Sequence, residues 1–232
     1  MQEIFESEVI PGRQKRNVVV AVGRFSPPTR GHYKLINAMK AFIRDNPDLK
    51  LDAQPVVVII SGSKTDGDKE RNPLSGEERK LFMENSGRAN GVKFLTAPSA
   101  FDAFAAVRKA SMEPLAIAAG ADRKKVYEKL LHQYFTQDGT PVKHGGIAIN
   151  RHFVPGLDRD TDTEHDDGED YYQKVIDMIN DGEAVSDEMI SGSLARFAAR
   201  KGEDKAFAYI VGMENKPILA KKMQQKIVGS SK

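Results

Sequence analysis

Two stretches of this chain carry residues suited to holding phosphate. The first is Gly23-Arg24-Phe25-Ser26-Pro27-Pro28-Thr29-Arg30-Gly31-His32, which follows a β-branched run and leads into a helical pattern. A helix start presents backbone N–H groups and the positive end of the helix dipole, and both favour an anion. Gly31 lets the backbone approach a ligand closely, and His32 falls in the first turn, where an imidazole can donate to a phosphate oxygen. The second is Ile190-Ser191-Gly192-Ser193-Leu194-Ala195-Arg196, a serine-rich helix start with an arginine one turn in. The planar fork of an arginine binds two phosphate oxygens at once. Each stretch also has a plainer reading: a turn punctuated by Pro and Gly, and an ordinary serine N-cap.

Other groups stand at comparable places. Asn72-Pro73-Leu74-Ser75-Gly76-Glu77-Glu78-Arg79 joins a capping box, Ser75 with Glu78, to an arginine able to reach a phosphate. Ser61 and Ser63 open a polar loop whose Lys64, Lys69 and Arg71 lie where an anionic substrate could sit. Gly120-Ala121-Asp122-Arg123 follows a predicted strand. Asp158, Asp160, Asp162, Asp166 and Glu169 have the spacing of a calcium loop. However, Thr163 stands where glycine is needed, and Pro155 and Gly156 spoil the helix that should precede, so a loop over the substrate site is favoured. His132, His144, His152 and His165 show no metal-ligand spacing.

These residues need a scaffold, and the hydrophobic pattern supplies one. Residues 18–22 and 55–61 are β-branched runs typical of strands buried on both faces. Residues 92–96 and 115–119 read as two more strands, and 147–154 as a fifth. Helical periodicity lies between them, so strand alternates with helix and a parallel sheet with right-handed crossovers is expected. In such a sheet ligands bind beyond the carboxyl ends of the strands, where the first phosphate stretch falls. Residues 63–73 read as a loop, and 137–170 as a long loop insertion. Helices are expected around residues 171–179, 192–201 and 217–228, the last a packed basic amphipathic end.

Composition bounds the function. The chain has 232 residues, enough for one α/β domain with a small appendage. Its hydrophobic share of 40% and charged share of 29% suit a soluble globular protein. A net charge of +2 gives no basic stripe for nucleic acid. The absence of cysteine excludes disulfides, thiol catalysis and thiolate metal sites. No apolar run is long enough to span a membrane, and residues 1–16 read as a charged extension rather than a signal peptide. A cytoplasmic location is expected.

The segment 23–32 resembles the signature of the HxGH nucleotidyltransferase superfamily, with Thr29 in place of the first histidine, a common replacement there. The chain is most similar to adenylyltransferases that make NAD from nicotinamide mononucleotide and to bacteriophage-encoded nucleotidyltransferases, which would place it in a host cytoplasm. The segments at Asn72–Arg79, Gly120–Arg123 and Ile190–Arg196 agree with family motifs in the expected order. The resemblance implies a Rossmann-like, doubly wound, five-stranded sheet with helices on both faces over residues 17–201, and a helical extension over 202–232. It implies transfer of AMP from ATP to a small phosphorylated acceptor, with Mg²⁺ neutralising the departing pyrophosphate. Thr29, His32 and Arg196 would be catalytic. Gly23, Arg24, Phe25, Gly31, Gly120, Asp122, Ser191 and Ser193 would bind the nucleotide, Asp122 through its ribose hydroxyls. Ser61, Ser63, Asn72, Arg79 and Arg123 would face the acceptor. Attack by an already ionised phosphate needs neither a protein nucleophile nor a general base. A cytidylyltransferase acting on a sugar or alcohol phosphate stays open, as does a non-catalytic phage structural protein that keeps the fold. A homo-oligomer is compatible with all three.

Overall fold

The computed structural model describes residues 16–119, 127, 152–154 and 168–230. Strands β1 (Arg16–Gly23), β2 (Val56–Ile60), β3 (Lys93–Ala97) and β4 (Met112–Ala118) carry the sheet, joined by a short β5 (His152–Phe153). The order is β3-β2-β1-β4-β5 and every neighbouring pair is parallel. The expected five-stranded sheet is therefore in substance four-stranded. The fifth strand pairs over two residues only, His152 with Ala116 and Phe153 with Ile117.

Helices cover both faces. Val18, Val20, Val22, Val56 and Val58 point to one face, where they meet Ala103, Phe104 and Val107 of α4 (Ala100–Lys109). Val19, Ala21, Val57 and Ile59 point to the other, against Tyr33, Ile36 and Met39 of α1 (Arg30–Asp45) and Met83 of α3 (Gly76–Asn85). This alternation is the two-residue period of a strand buried on both sides, and it explains the unbroken valine runs. Between β2 and α3 the chain makes a one-turn helix, α2 (Ser63–Gly67), inside the stretch that reads as loop. The Asp66 amide closes that turn on the Gly62 carbonyl at 2.8 Å, and its carboxylate is anchored from outside the turn. Polar composition alone gives no sign of this anchoring.

A second hydrophobic cluster lies in the C-terminal helices α5 (Glu169–Asp181), α6 (Gly192–Lys201), α7 (Asp204–Ile210) and α8 (Pro217–Gly229). α6 begins where the Ser191 Oγ accepts from the Leu194 N–H at 3.0 Å, and it stops at Gly202, whose φ of 78° is left-handed. Its buried stripe is Leu194, Ala195, Ala198 and Ala199. α7 is not legible as a separate helix, although Ala206, Phe207 and Ile210 bury one side of it. The cluster runs from Tyr172 to Ile227 and takes in Leu74 and Phe82, so the helices on either side of residue 201 share one core. Among the described residues no helix is long and apolar enough to cross a membrane.

Candidate functional site

The chain builds outward from β1 through β2 and β3, then returns to place β4 on the other side of β1. The crevice at such a reversal, beyond the carboxyl ends of the strands, is where open parallel sheets bind ligands. The loop after β1 opens there. Phe25 takes a left-handed φ of 51°, uncommon for a residue with a side chain. Its ring is buried against Gly23 and stands edge-on to the His32 ring, with centroids 4.8 Å apart. Thr29, wholly enclosed, is the N-cap of α1. Its backbone N–H donates to His32 Nδ1 at 2.9 Å, and its Oγ1 lies 3.0 Å from the same nitrogen. Because Nδ1 accepts from a backbone N–H, the neutral ring carries its proton on Nε2. His32 is thereby oriented as a donor within the first turn.

The start of α6 meets this loop directly. Arg196 Nη1 donates to the Ser26 carbonyl at 2.8 Å, and Nη2 donates to Ser193 Oγ at 3.0 Å. A Cβ on Gly192 would stand 2.9 Å from that same Ser26 carbonyl oxygen, so only glycine permits this approach. The Ser26 Oγ is enclosed without a hydrogen-bond partner among the described residues. Burial pushes the Arg196 pKa down, and the nearby cations Arg200, Arg24 and Arg71 push it further, against an opposing contribution from Tyr172. The start of α6 thus belongs to a concentrated positive field.

Arg79 has a different position from the one its motif suggests. Its side chain is fully buried. Nε donates to the Ser75 carbonyl at 3.1 Å, Nη1 to the carbonyls of Arg24 and Ile60, and Nη2 to Asp66 Oδ1 at 2.7 Å. One guanidinium therefore ties together the loop after β1, the end of β2, the α2 turn and the start of α3. It positions the crevice and is not exposed to a substrate. Ser61 is likewise engaged, donating to Asp66 Oδ2 at 2.5 Å. The start of α3 closes on it so tightly that a Cβ on Gly76 would stand 2.2 Å from Ser61 Oγ. Ser63, in α2, is exposed. Asn72 is enclosed, with its Oδ1 lacking a partner among the described residues.

The structure thus brings Gly23, Arg24, Phe25, Thr29, Gly31, His32, Ser191, Ser193 and Arg196 to one end of the sheet. Gly120, Asp122 and Arg123 lie outside the described residues, as does nearly all of the 137–170 insertion with its calcium-like spacing. Sequence reasoning passed over two contributors, Ser26 and Arg200. The i, i+4 spacing from Arg196 to Arg200 signals a shared face. Nothing local marks the Ser26 carbonyl as the point where the two helix starts meet. Among the described residues no group of three or more His, Asp or Glu side chains could hold a metal ion. Asp66, the carboxylate beside the crevice, is committed to Arg79 and Ser61.

No family profile matches the chain, and no curated protein matches it. Among solved structures, the crystal structure of a macrolide-efflux protein from Streptococcus pneumoniae aligns with a TM-score of 0.46 at 19% identity, covering 85% of this chain and 55% of that one. The chain thus spans about half the length of that structure. A likeness at this level leaves both fold family and function to the site's own geometry.

Proposed function

We propose that the chain is a nucleotidyltransferase, transferring AMP from ATP to a small phosphorylated acceptor, with nicotinamide mononucleotide as the leading acceptor and pyrophosphate as the leaving group. The observation that carries this reading is the joining of two helix starts through Arg196 and the Ser26 carbonyl. Both present backbone N–H groups and positive dipole ends to one crevice at the sheet reversal. The cations Arg24 and Arg196 share that neighbourhood, which suits a polyphosphate better than a single weak anion.

The chemistry asked of the protein is modest. The acceptor phosphate is ionised at neutral pH, so it attacks the α-phosphorus without a protein base. The bond to the bridging oxygen of pyrophosphate breaks, and pyrophosphate leaves with that electron pair. Charge building on the phosphoryl oxygens is met by the His32 Nε2–H and the N–H groups at the start of α1. Arg196 and the start of α6 hold the β- and γ-phosphates. Such fixed donors need no reorganisation as charge develops, which is the main source of rate in electrostatic catalysis. The cationic surroundings do not favour a magnesium ion held by protein carboxylates. Mg²⁺ would enter with the triphosphate, coordinated by its oxygens and water.

The test is pyrophosphate release from ATP, and separately from CTP, with a panel of acceptors and their dephosphorylated counterparts. Release with ATP that depends on a phosphorylated acceptor is expected. Absence of turnover across the panel, together with no triphosphate binding, would instead favour a structural protein that keeps the fold.

A further inference from the structure

We propose that Arg71 and Arg200 form a second anion position beside the triphosphate, and that it holds the phosphate of the acceptor; this rests on the nucleotidyltransferase reading above. The two helix starts, with Arg24 and Arg196, account for the triphosphate. Arg200 lies one turn beyond Arg196 on the same face of α6. Its Nη2 donates to the Glu70 carbonyl at 3.4 Å, which sets the segment before Asn72 against α6, and Arg71 is the residue that follows Glu70.

Among the described residues Arg200 has no carboxylate within 4 Å, and Arg71 has one long ion pair. Asp68 is the acid within 4 Å of the Arg71 guanidinium among the described residues, and it stands 3.9 Å away while also accepting from the Arg71 backbone N–H. The Arg71 side chain is 73% exposed. Asp66, in the α2 turn, is committed to Arg79 and Ser61. Next in sequence stands Asn72, 2% exposed, with an Oδ1 that has no partner among the described residues. A buried amide oxygen without a donor is costly.

The placement separates this position from the triphosphate. Arg71 lies on the loop that follows β2, the neighbour of β1, whereas the triphosphate loop follows β1 itself. A phosphate monoester carries about two negative charges at neutral pH, which two exposed guanidinium groups can match through charge-assisted hydrogen bonds. Burial is the main cause of the lowered Arg196 pKa, and the smaller contributions of Arg200 and Arg71 agree with one shared electrostatic neighbourhood.

The test uses the full chain and the variants Arg71→Ala, Arg200→Ala and the double variant. In steady-state assays of pyrophosphate release with ATP and nicotinamide mononucleotide, KM for the mononucleotide should rise about tenfold for each variant and on the order of a hundredfold for both, while KM for ATP stays within about twofold. Arg71→Lys with Arg200→Lys should recover part of the loss. A rise confined to KM for ATP would assign both arginines to the triphosphate and overturn the proposal, and so would unchanged constants. A second arm needs no turnover: inorganic phosphate is titrated calorimetrically into the protein in the presence of α,β-methylene-ATP. Phosphate binding by the wild type that disappears in the double variant supports the anion position, even if every acceptor assay is silent and the catalytic reading has failed. Equal binding by both proteins, or none by the wild type, overturns it.

Discussion

The two helix starts that meet at the sheet end are built in opposite ways. That of α1 belongs to the sheet: Phe25 and Tyr33 sit in the core on one face, and Thr29 is wholly enclosed. Its side chains turn back on their own backbone, His32 accepting from the Thr29 N–H. The start of α6 belongs to the separate cluster of C-terminal helices. There Ser191 caps its own helix, but Arg196 reaches out to the Ser26 carbonyl of the other unit. The contrast separates two roles. The first start fixes the direction of an imidazole, and the second brings a cation and joins the two cores.

The two starts should differ most at His32. His32→Ala should lower turnover by about a hundredfold or more. It should lower stability by only about 1 kcal/mol, the scale of a lost capping interaction. An unchanged rate would leave the first start a purely structural turn. Arg79→Ala should do the reverse. Removing it takes the Arg79 donor from Asp66 Oδ1 and from the carbonyls of Arg24 and Ile60, so stability should fall by about 3 kcal/mol in urea unfolding. Normal stability with weakened ATP binding would return Arg79 to the phosphate site.

The smallest effect concerns the core side of α1. The Tyr33 hydroxyl is buried with no hydrogen bond of 3.5 Å or less among the described residues, and burial pushes its pKa from 10.0 up to about 12, against smaller lowering contributions from Ser86 and Arg88. A pKa raised by folding contributes stability below the unfolded value, and that contribution is lost as pH climbs from 10.0 to about 12. The wild type should therefore lose stability across that window, and Tyr33→Phe should not. At neutral pH the same variant should be more stable by about 1 kcal/mol, because an unpaired hydroxyl leaves the core. A Tyr33→Phe protein that is weaker at neutral pH would show that the hydroxyl has a partner.

Much of this architecture is legible in the chain. Val18 to Val22 and Val56 to Ile60 are buried on both faces, so the runs read as central strands. α6 is legible to the residue because Ser191 and Gly202 both mark its ends. The short fifth strand was harder, since an apolar run does not tell how many of its residues will pair. The one-turn helix at Ser63–Gly67 depends on a carboxylate held by a distant arginine, a contact no local pattern encodes. Arg79 illustrates the same limit. It lies three and four residues before Phe82 and Met83, on the inward face of α3, and that spacing is the signal that it is buried rather than offered to a ligand. A polar residue on a buried face reads as functional until the groups opposite it are known. The meeting of Arg196 with the Ser26 carbonyl spans 170 positions and is visible only once the fold is assembled.

If the two starts hold one triphosphate together, calorimetry with α,β-methylene-ATP and Mg²⁺ will register it. The wild type should bind the analogue. Arg196→Ala should bind at least about tenfold more weakly, as expected for the loss of a charge-assisted phosphate contact. No binding by the wild type, or equal affinity in the two proteins, would contradict the account.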